Sequence, residues 1–336
     1  MKAITPVISL VMLLLITVGL VGTSYIFISS SFSSKISNVF SIIYSSQNTV
    51  IVRNDGTQPI TSFIATLDGN QENMVIVPGV SGLVAYWGFN DGAGSVAKDS
   101  QGTTNFEIRN LVTWVDGKFG KAVKIGETAD TGCSNQNAGV YTNSIPAAIQ
   151  SLPQNSFTQS WWNYLPVSSG ASRVHMASAT VPGCGTCSVW NLRNYVEVRT
   201  VSGGNSDISY TAPSTNAWHH MAYVFDKPSL RHKFYIDGEP VADNPLVNGD
   251  YGSVQWLAVG VYSPSCTDAI PGAIYDEYGI YSRALGADEI KKLYSSAVIE
   301  PGKTATLKTL TTPPAGKHDL ILCTANICNT VTLTMT

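Results

Sequence analysis

Residues 217–241 read AWHHMAYVFDKPSLRHKFYIDGEPV, and this stretch decides the fold. Two runs rich in apolar and aromatic residues flank a polar segment, and the turn dipeptide Asp237-Gly238 closes the second run, which predicts paired strands. Similar turn signals recur on the N-terminal side, at Asn90-Asp91-Gly92 and Asp116-Gly117. Within residues 83–296, convincing helical pattern appears only at Ala287–Ser295. Residues 83–296 are therefore predicted to be all-β, with a length usual for a one-piece sandwich.

Four segments of this region resemble the laminin-G-like domain, a concanavalin A-like jelly roll. They are LVAYWGFNDGAGSVAKDSQG (83–102, opening strand and loop), WVDGKFGKAVKI (114–125, a hairpin), residues 217–241 (a strand pair) and GAIYDEYGIYSRALGADEIKKLY (272–294, closing strand and helix). The sequence departs from the family where Tyr275 is inserted next to Asp276 and where Tyr278-Gly279 replaces the usual Val-Arg. The resemblance implies a jelly-roll domain over residues 83–296.

No catalytic motif stands out. Glycoside hydrolases built on such jelly rolls need two carboxylates about 5–10 Å apart, usually from an E-x-D-x-x-E strand, and no such triplet occurs. Asp276 and Glu277 are adjacent, so we expect their side chains to point to opposite faces of a strand. The same alternation favours a structural role for His219 and His220 over a metal pair. The sequence therefore predicts a protein that is not an enzyme.

A bound cation is implied by the resemblance, since many jelly rolls of this type hold one structural Ca²⁺ where the opening loop meets the closing strand. Asn90, Asp91 and Asp276 occupy the matching segments, and hard oxygen ligands suit Ca²⁺. The alternative is that Asn90-Asp91-Gly92 is only a turn and that Asp276 pairs with an arginine. The residue types leave both open, and no other cofactor is expected.

The pieces that flank this region resemble two halves of one small Ig-like β-sandwich. Residues 45–82 and 297–336 each show strand patterns separated by turns, but neither has enough strands to close a core alone. Their turn residues resemble those of the head domain of archaeal pilins. We predict that the two pieces form one discontinuous domain, and that the jelly roll is inserted at a loop tip of it.

The N-terminal segment is apolar. Ile4–Ser34 contains no charged residue, and Ile4–Ile28 is long enough to cross a bilayer as a helix. The apolar pattern continues beyond it and predicts one helix over residues 4–44. The run is too long for a cleaved secretory signal peptide, whereas an uncleaved signal anchor remains open. MKA-ITPVISLVMLLLITVGLVG resembles an archaeal type IV prepilin, which implies that a prepilin peptidase removes residues 1–3 by cleaving between Ala3 and Ile4.

The six cysteines lie outside the membrane-length segment. Cys323 and Cys328 stand at the ends of a predicted hairpin, close enough to bridge. A single C-x2-C pair, such as that of residues 184–187, is weak evidence for zinc. The predicted disulfides are Cys323–Cys328, Cys184–Cys187 and Cys133–Cys266, although sequence selects no connectivity uniquely.

Several aromatic residues are candidates for stacking on a ligand. Trp162 fits the family's buried strand tryptophan, so alternation turns Trp161 outward. Trp190, Tyr195 and Tyr262 lie near predicted loops, where exposed rings could stack on sugars. The alternative is that these rings pack under the loops.

Composition favours a protein that works outside the cell. Only 13% of the 336 residues are charged, against about 25% in an average soluble protein. A net charge of −3 argues against nucleic acid as a partner. Because only one apolar run can span a bilayer, a polytopic membrane protein is excluded.

These observations predict a pilin-like subunit of an archaeal type IV pilus-like filament at the cell surface. Its helix would anchor the precursor in the membrane with the N-terminus cytoplasmic and then self-assemble in the filament, while the jelly roll is displayed for adhesion to glycans or surface proteins. One alternative is an extracellular binding protein held singly by an uncleaved anchor. Another is an insert that only decorates or bundles filaments.

Overall fold

A computed structural model describes most of the chain from residue 38 to residue 336. Its gaps within that range are residues 62, 73, 130–137, 168–173, 179–187, 192–194, 200–205, 247–251, 263–268, 296–298, 311–312 and 326. Several predictions lie outside the described residues: the leader at 1–3 with its Ala3–Ile4 cleavage site, the helix over residues 4–37, and the disulfides of Cys133, Cys184, Cys187 and Cys266.

The described part is mainly β. Its strands in chain order are β1 (Phe40–Ser46), β2 (Thr49–Asn54), β3 (Ile64–Leu67), β4 (Asn70–Glu72), β5 (Met74–Val77), β6 (Leu83–Trp87), β7 (Val96–Ala97), β8 (Phe106–Ile108), β9 (Val112–Asp116), β10 (Lys121–Ile125), β11 (Val140–Thr142), β12 (Phe157–Tyr164), β13 (Val174–Ser178), β14 (Ser188–Asn191), β15 (Tyr195–Arg199), β16 (Ile208–Ser209), β17 (Trp218–Asp226), β18 (Arg231–Ile236), β19 (Glu239–Pro245), β20 (Val254–Val259), β21 (Ile274–Tyr281), β22 (Thr304–Thr309), β23 (Gly316–Cys323) and β24 (Cys328–Met335). The helices are α1 (Ala147–Gln150), a 3₁₀ turn (Leu152–Gln154) and α2 (Ala287–Ser295).

Strand pairing joins the two ends of the chain in a small sandwich. Its sheets have the orders β1-β2-β22-β5 and β24-β23-β3-β4, so each sheet takes strands from both sides of the jelly-roll segment. Val50 lies opposite Leu307 in one sheet, and Ala65 lies opposite Leu322 in the other. These four side chains belong to one buried core. Neither terminal piece alone could enclose this core. Burial of the apolar inner faces of the two sheets against each other drives the pairing of the two pieces.

The first strand corrects the predicted helix boundary. Residues 40–46 form β1 instead of the end of a helix over 4–44, and the small sandwich begins at Phe40. Phe40 is buried in the small core, with its ring 5.0 Å from that of Phe63. Ile42, Ile43 and Tyr44 are β-branched or aromatic, and a half-buried pleated strand suits them better than a helix. Within the part of the chain that the structure describes, no helix has the length and apolar character needed to cross a membrane.

Cys323 and Cys328 form a disulfide that closes the hairpin between β23 and β24. Their Cα atoms are 4.0 Å apart, and the two residues lie opposite each other in the strand register. The prediction for this pair is therefore confirmed.

The jelly roll consists of two eight-stranded sheets packed face to face. The first has the order β19-β18-β17-β12-β21-β10-β9, with β6 beside β21, and the second has the order β16-β15-β14-β13-β20-β11-β8-β7. Large aromatic side chains fill the space between them, and the Trp87 ring stacks on that of Tyr278 with 5.3 Å between centroids. Helix α2 covers part of the outer face of the first sheet, where Ile290 and Leu293 pack near Tyr281.

Polar contacts join the small sandwich to the jelly roll. The Nζ of Lys292 in α2 donates to the carbonyl of Gly79, at 2.9 Å, and the Nζ of Lys308 in β22 donates to that of Ser100, at 3.3 Å. The small sandwich therefore lies against the outer side of the first sheet, next to the closing strand β21.

Candidate functional site

The closing strand β21 contains a β-bulge that the sequence analysis did not predict. Between two points of its pairing with β12, β21 advances three residues, from Asp276 to Gly279, while β12 advances two. Glu277, inside this stretch, has a left-handed backbone with φ of 54°. Tyr275 and Tyr278 consequently both lie in the jelly-roll core.

The bulge places Asp276 and Glu277 on the same face of the sheet. Asp276 bonds to the backbone of Phe119, whose ring packs on Trp162 on the outer face. Glu277 lines a small outer-face cleft together with Trp162 and His220. The expectation that the two carboxylates point to opposite faces is therefore wrong, because strict alternation holds only in a regular strand.

The buried Asp276 carboxylate anchors the loop between β9 and β10. Its Oδ1 accepts the N–H of Glu277, at 2.9 Å, and its Oδ2 accepts the N–H of Phe119, at 3.0 Å. Burial raises the pKa of Asp276 well above its usual value, and these N–H donors oppose the rise. A Cβ at Gly117 would lie 2.5 Å from Oδ2, which explains the glycine there. Asp276 thus pairs with backbone groups, and no arginine among the described residues bonds to it.

Asn90 and Asp91 also serve as acceptors for backbone groups. The Oδ1 of Asn90 accepts the N–H of Lys121, at 2.7 Å, so Asn90 and Asp276 hold the same loop from two sides. The Oδ2 of Asp91 accepts the N–H of Lys98, at 3.2 Å, and burial raises the pKa of Asp91. Each of the three predicted cation ligands therefore has an oxygen aimed at an N–H donor.

In this arrangement Asn90, Asp91 and Asp276 use side-chain oxygens to accept backbone N–H groups. A Ca²⁺ ion takes six to eight oxygen ligands in proteins. Among the residues that the structure describes, no group of three His, Cys, Asp or Glu side chains is placed to hold a metal ion. Ca²⁺ binding by Asn90, Asp91 and Asp276 stays a prediction.

Two further aspartates that the sequence analysis missed organise the neighbouring turns. The Oδ1 of Asp237 accepts the N–H of His220, at 2.9 Å, and its Oδ2 lies 2.8 Å from the Nδ1 of His219. The second, Asp99, is buried and accepts backbone N–H groups of the opening loop. The available signal was an aspartate followed within a few residues by glycine, in Asp99-Ser100-Gln101-Gly102 and Asp237-Gly238.

The aromatic candidates are placed differently from the prediction. Trp161, predicted to face outward, is 2% exposed and lies in the jelly-roll core against Phe234. Trp162 lies on the opposite face, where Phe119 and Tyr294 cover it. The two tryptophans do lie on opposite faces of the sheet, as predicted, but each lies on the face predicted for the other. Trp161 therefore has no exposed surface on which a ligand could stack.

The remaining candidates give a mixed outcome. Tyr195 and Tyr262 are half-buried. Trp190 belongs to β14, where it lies opposite Glu197 in the strand register, and its side chain lies outside the description.

The outward face of the second sheet, which is turned away from the jelly-roll core, carries the side chains of Glu107, Tyr141 and Glu197. One row of register partners crosses six of its strands: Glu107, Tyr141, Ala258, His175, Trp190 and Glu197. Ala258 is fully buried, so the centre of this face is covered. Among the members of the row whose burial is described, those that reach solvent are Glu107, Tyr141 and Glu197.

At one end of this row, the Arg109 guanidinium lies 4.5 Å above the Tyr141 ring. A hydrogen bond from the Tyr141 hydroxyl to the carboxylate of Glu107 is the largest cause that raises the pKa of Tyr141. At the other end, Glu197 and Arg199 form an ion pair with 2.5 Å between Oε1 and Nη2. Each end of the row thus carries a carboxylate and a guanidinium on residues that are half-buried or exposed. This arrangement suits a polar ligand.

The comparisons with known proteins support the jelly roll. Residues 136–291 match the sequence profile of the Concanavalin A-like lectin/glucanases superfamily. That range contains residues 217–241 and most of 272–294, two of the segments that carry the resemblance. No curated protein matches the chain in sequence.

Three solved structures are similar to part of the chain. They are the binding domain of Paraclostridial Mosquitocidal Protein 1 (18% identity, TM-score 0.48, 64% of this chain and 52% of that one), the Botulinum neurotoxin serotype G binding domain (14%, 0.49, 63% and 50%) and Trypanosoma rangeli sialidase (17%, 0.45, 65% and 33%). The chain thus spans about half of each toxin binding domain and a third of the sialidase. The protein described here is mainly β and contains a concanavalin A-like domain of the laminin G type.

Proposed function

We propose that the chain is a cell-surface binding protein whose jelly roll recognises a glycan. The observation that supports this most is the outward face of the second sheet, where Arg109 and Tyr141 lie at one end and Glu197 and Arg199 at the other. Sugar hydroxyls both donate and accept hydrogen bonds, so paired acid and guanidinium groups match them, and a tyrosine ring offers a face for stacking. The role is binding, without catalysis.

The assembly that we propose for this protein is a pilin-like subunit of an archaeal-type surface filament. Two features support it: the prepilin resemblance of the first residues, and a small sandwich that both ends of the chain build together. The precursor would lie in the membrane with its N-terminus cytoplasmic until a prepilin peptidase cleaves it. A surface protein as ligand, or a singly anchored binding protein outside any filament, is the alternative.

The binding proposal predicts that the full chain binds a defined set of sugars on a glycan array. Arg109→Ala removes the guanidinium above Tyr141, so it should weaken binding to those sugars by about tenfold, or ~1.4 kcal/mol. Arg231→Ala is the matched control, because Arg231 pairs with Asp243 on the first sheet and should leave binding unchanged. Arrays that stay blank with the wild-type chain, or equal losses in both variants, contradict the proposal.

The assembly proposal predicts the first residue of the native protein. N-terminal sequencing of protein recovered from the cell surface should give Ile4, since prepilin cleavage falls between Ala3 and Ile4. Met1 would instead support the uncleaved single anchor and would remove the filament proposal.

A further inference from the structure

A cavity of about 210 Å³ lies between the small sandwich and the jelly roll. From the small sandwich, Phe63, Met74 and Leu307 form an apolar part of its wall, and Phe119 of the jelly roll adds a second aromatic ring. Glu277, on the bulge of β21, also lines this cavity. The wall is thus mostly apolar, with a carboxyl group set into it.

The Glu277 carboxyl group is buried without a partner. The residue is only 7% exposed. Among the described residues, none donates a hydrogen bond or forms an ion pair with either of its side-chain oxygens. Burial alone raises the pKa of Glu277 well above its usual value. A buried acceptor without a donor destabilises the fold. A ligand that supplies the missing donor is therefore favoured at this position.

The other titratable groups around the cavity do not neutralise Glu277. The Nζ of Lys121 bonds to the Oδ1 of Asp116, at 2.7 Å. Glu72, a second acid in the wall, is buried as well. On the neighbouring side, the Nε2 of His220 lies 2.9 Å from the Oγ of Ser160. The other titratable neighbours are Asp276, whose oxygens accept backbone N–H groups, the buried phenol of Tyr281, and Lys118, whose Nζ lies 4.7 Å from the centroid of the Trp162 ring and 5.7 Å from that of Phe119.

We propose that this cavity binds a small organic ammonium ion, with the ammonium group against Glu277 and the apolar body between Phe63 and Phe119. Ammonium nitrogen carries N–H donors and a positive charge, both of which Glu277 lacks in its surroundings. Aromatic rings favour a neighbouring cation. An apolar cavity of about 150 Å³ holds benzene, so this one has room for about eight non-hydrogen atoms.

Benzylamine tests the proposal, because it has this size and is protonated at neutral pH. Benzyl alcohol is its neutral counterpart of equal size. Titration calorimetry of the full chain at pH 7.5 should show saturable binding of benzylamine. Glu277→Gln keeps the shape of the side chain but removes its charge, and it should weaken benzylamine binding at least tenfold while leaving benzyl alcohol unaffected. Glu300→Gln, at an exposed acid outside the cavity, is the matched control.

The pH dependence gives a second readout. A proton on Glu277 competes with the ammonium ion, so the affinity for benzylamine should rise as the pH increases from 5 and level off above the pKa of the Glu277 carboxyl. Asp276, Glu72, His220 and Tyr281 all remain in Glu277→Gln, and in this variant the rise should be absent. No saturable benzylamine binding to the wild type, or equal affinity in Glu277→Gln, would overturn the proposal.

Discussion

Replacing Asp99 with alanine is expected to lower the free energy of unfolding of the jelly roll by about 3–5 kcal/mol. The carboxylate is buried and accepts the N–H groups of Tyr86 (2.7 Å), Gln101 (2.9 Å), Thr103 (2.8 Å) and Thr104 (3.2 Å). Each buried donor left without an acceptor costs about 1–3 kcal/mol, and water can recover part of the loss. The opening loop would then lose one of its links to the first strand of the jelly roll, while the bond from the Ser100 N–H to the Tyr86 carbonyl remains.

Urea unfolding followed by tryptophan fluorescence measures this effect, because all seven tryptophans lie within residues 83–296. Asp116→Ala is the matched control. Asp116 is an exposed aspartate whose Oδ1 pairs with the Nζ of Lys121, at 2.7 Å, and its loss should leave the unfolding midpoint nearly unchanged, because exposed ion pairs contribute little to stability. Equal midpoints for the two variants would contradict the structural role of Asp99.

The sequence was sufficient to predict features that depend on local pattern. A turn dipeptide and aromatic strand runs predicted the strand pair within residues 217–241, and a helical pattern predicted the helix at Ala287–Ser295, which the structure contains with those bounds. The Cys323–Cys328 bridge followed from the short hairpin between the two residues. Each of these features is determined within a few residues, so no knowledge of distant contacts was needed.

Register could not be predicted in the same way. Side chains alternate between the two faces of a strand, so Trp161 and Trp162 lie on opposite faces in either register. A one-residue slip exchanges the two faces. In β21 a bulge changes the phase midway, and the insertion of Tyr275 next to Asp276 was the one available signal. As a result, ligand stacking was assigned to Trp161, and Glu277 was expected on the face opposite to Asp276.

The boundary of the N-terminal helix was wrong for a related reason. Apolar residues at Phe40 and Ile43 continue a helical period, but they also suit a strand. The choice depends on the packing partners: β1 pairs with the neighbouring strand β2, and β22, from the other end of the chain, pairs with the opposite edge of β2 and extends the sheet. Tertiary contacts therefore override a pattern that local reasoning extends too far.

The second large effect that we expect is a loss of stability in acid caused by two buried histidines. Burial lowers the pKa of both His220 and His232 to about 4, from 6.5 in the unfolded chain. Above pH 6.5 both states are neutral at these positions. As the pH falls below 6.5 the unfolded chain takes up the protons first, so stability is lost down to about pH 4. At about 1.4 kcal/mol per pKa unit, each histidine contributes a loss of about 3 kcal/mol.

Other groups act with the opposite sign, so the wild-type curve alone does not isolate this effect. The raised pKa values of Asp276 and Glu277 make the folded state relatively more stable as the pH falls. His318 acts in the same direction, because the Asp68 carboxylate, 2.6 Å from its Nδ1, raises its pKa. The histidine contribution must therefore be read as a difference between the wild type and a variant that lacks one buried imidazole.

His232→Leu provides that difference. The His232 ring is fully buried in the first sheet, its Nδ1 lies 3.5 Å from the Tyr223 hydroxyl, and its Nε2 has no hydrogen-bond partner among the described residues. Leucine fills a similar volume and cannot take up a proton. Between pH 6.5 and pH 4, urea unfolding should show the wild type losing about 3 kcal/mol more stability than His232→Leu.

His318→Asn is the control for the sign, since it removes a group that stabilises the fold in acid. Its stability should therefore fall below that of the wild type as the pH decreases. Parallel stability curves for the wild type and His232→Leu would contradict the prediction, because they would mean that the buried imidazole takes up its proton without unfolding the chain. The structure argues against such uptake, since no described residue offers an acceptor to a proton on Nε2.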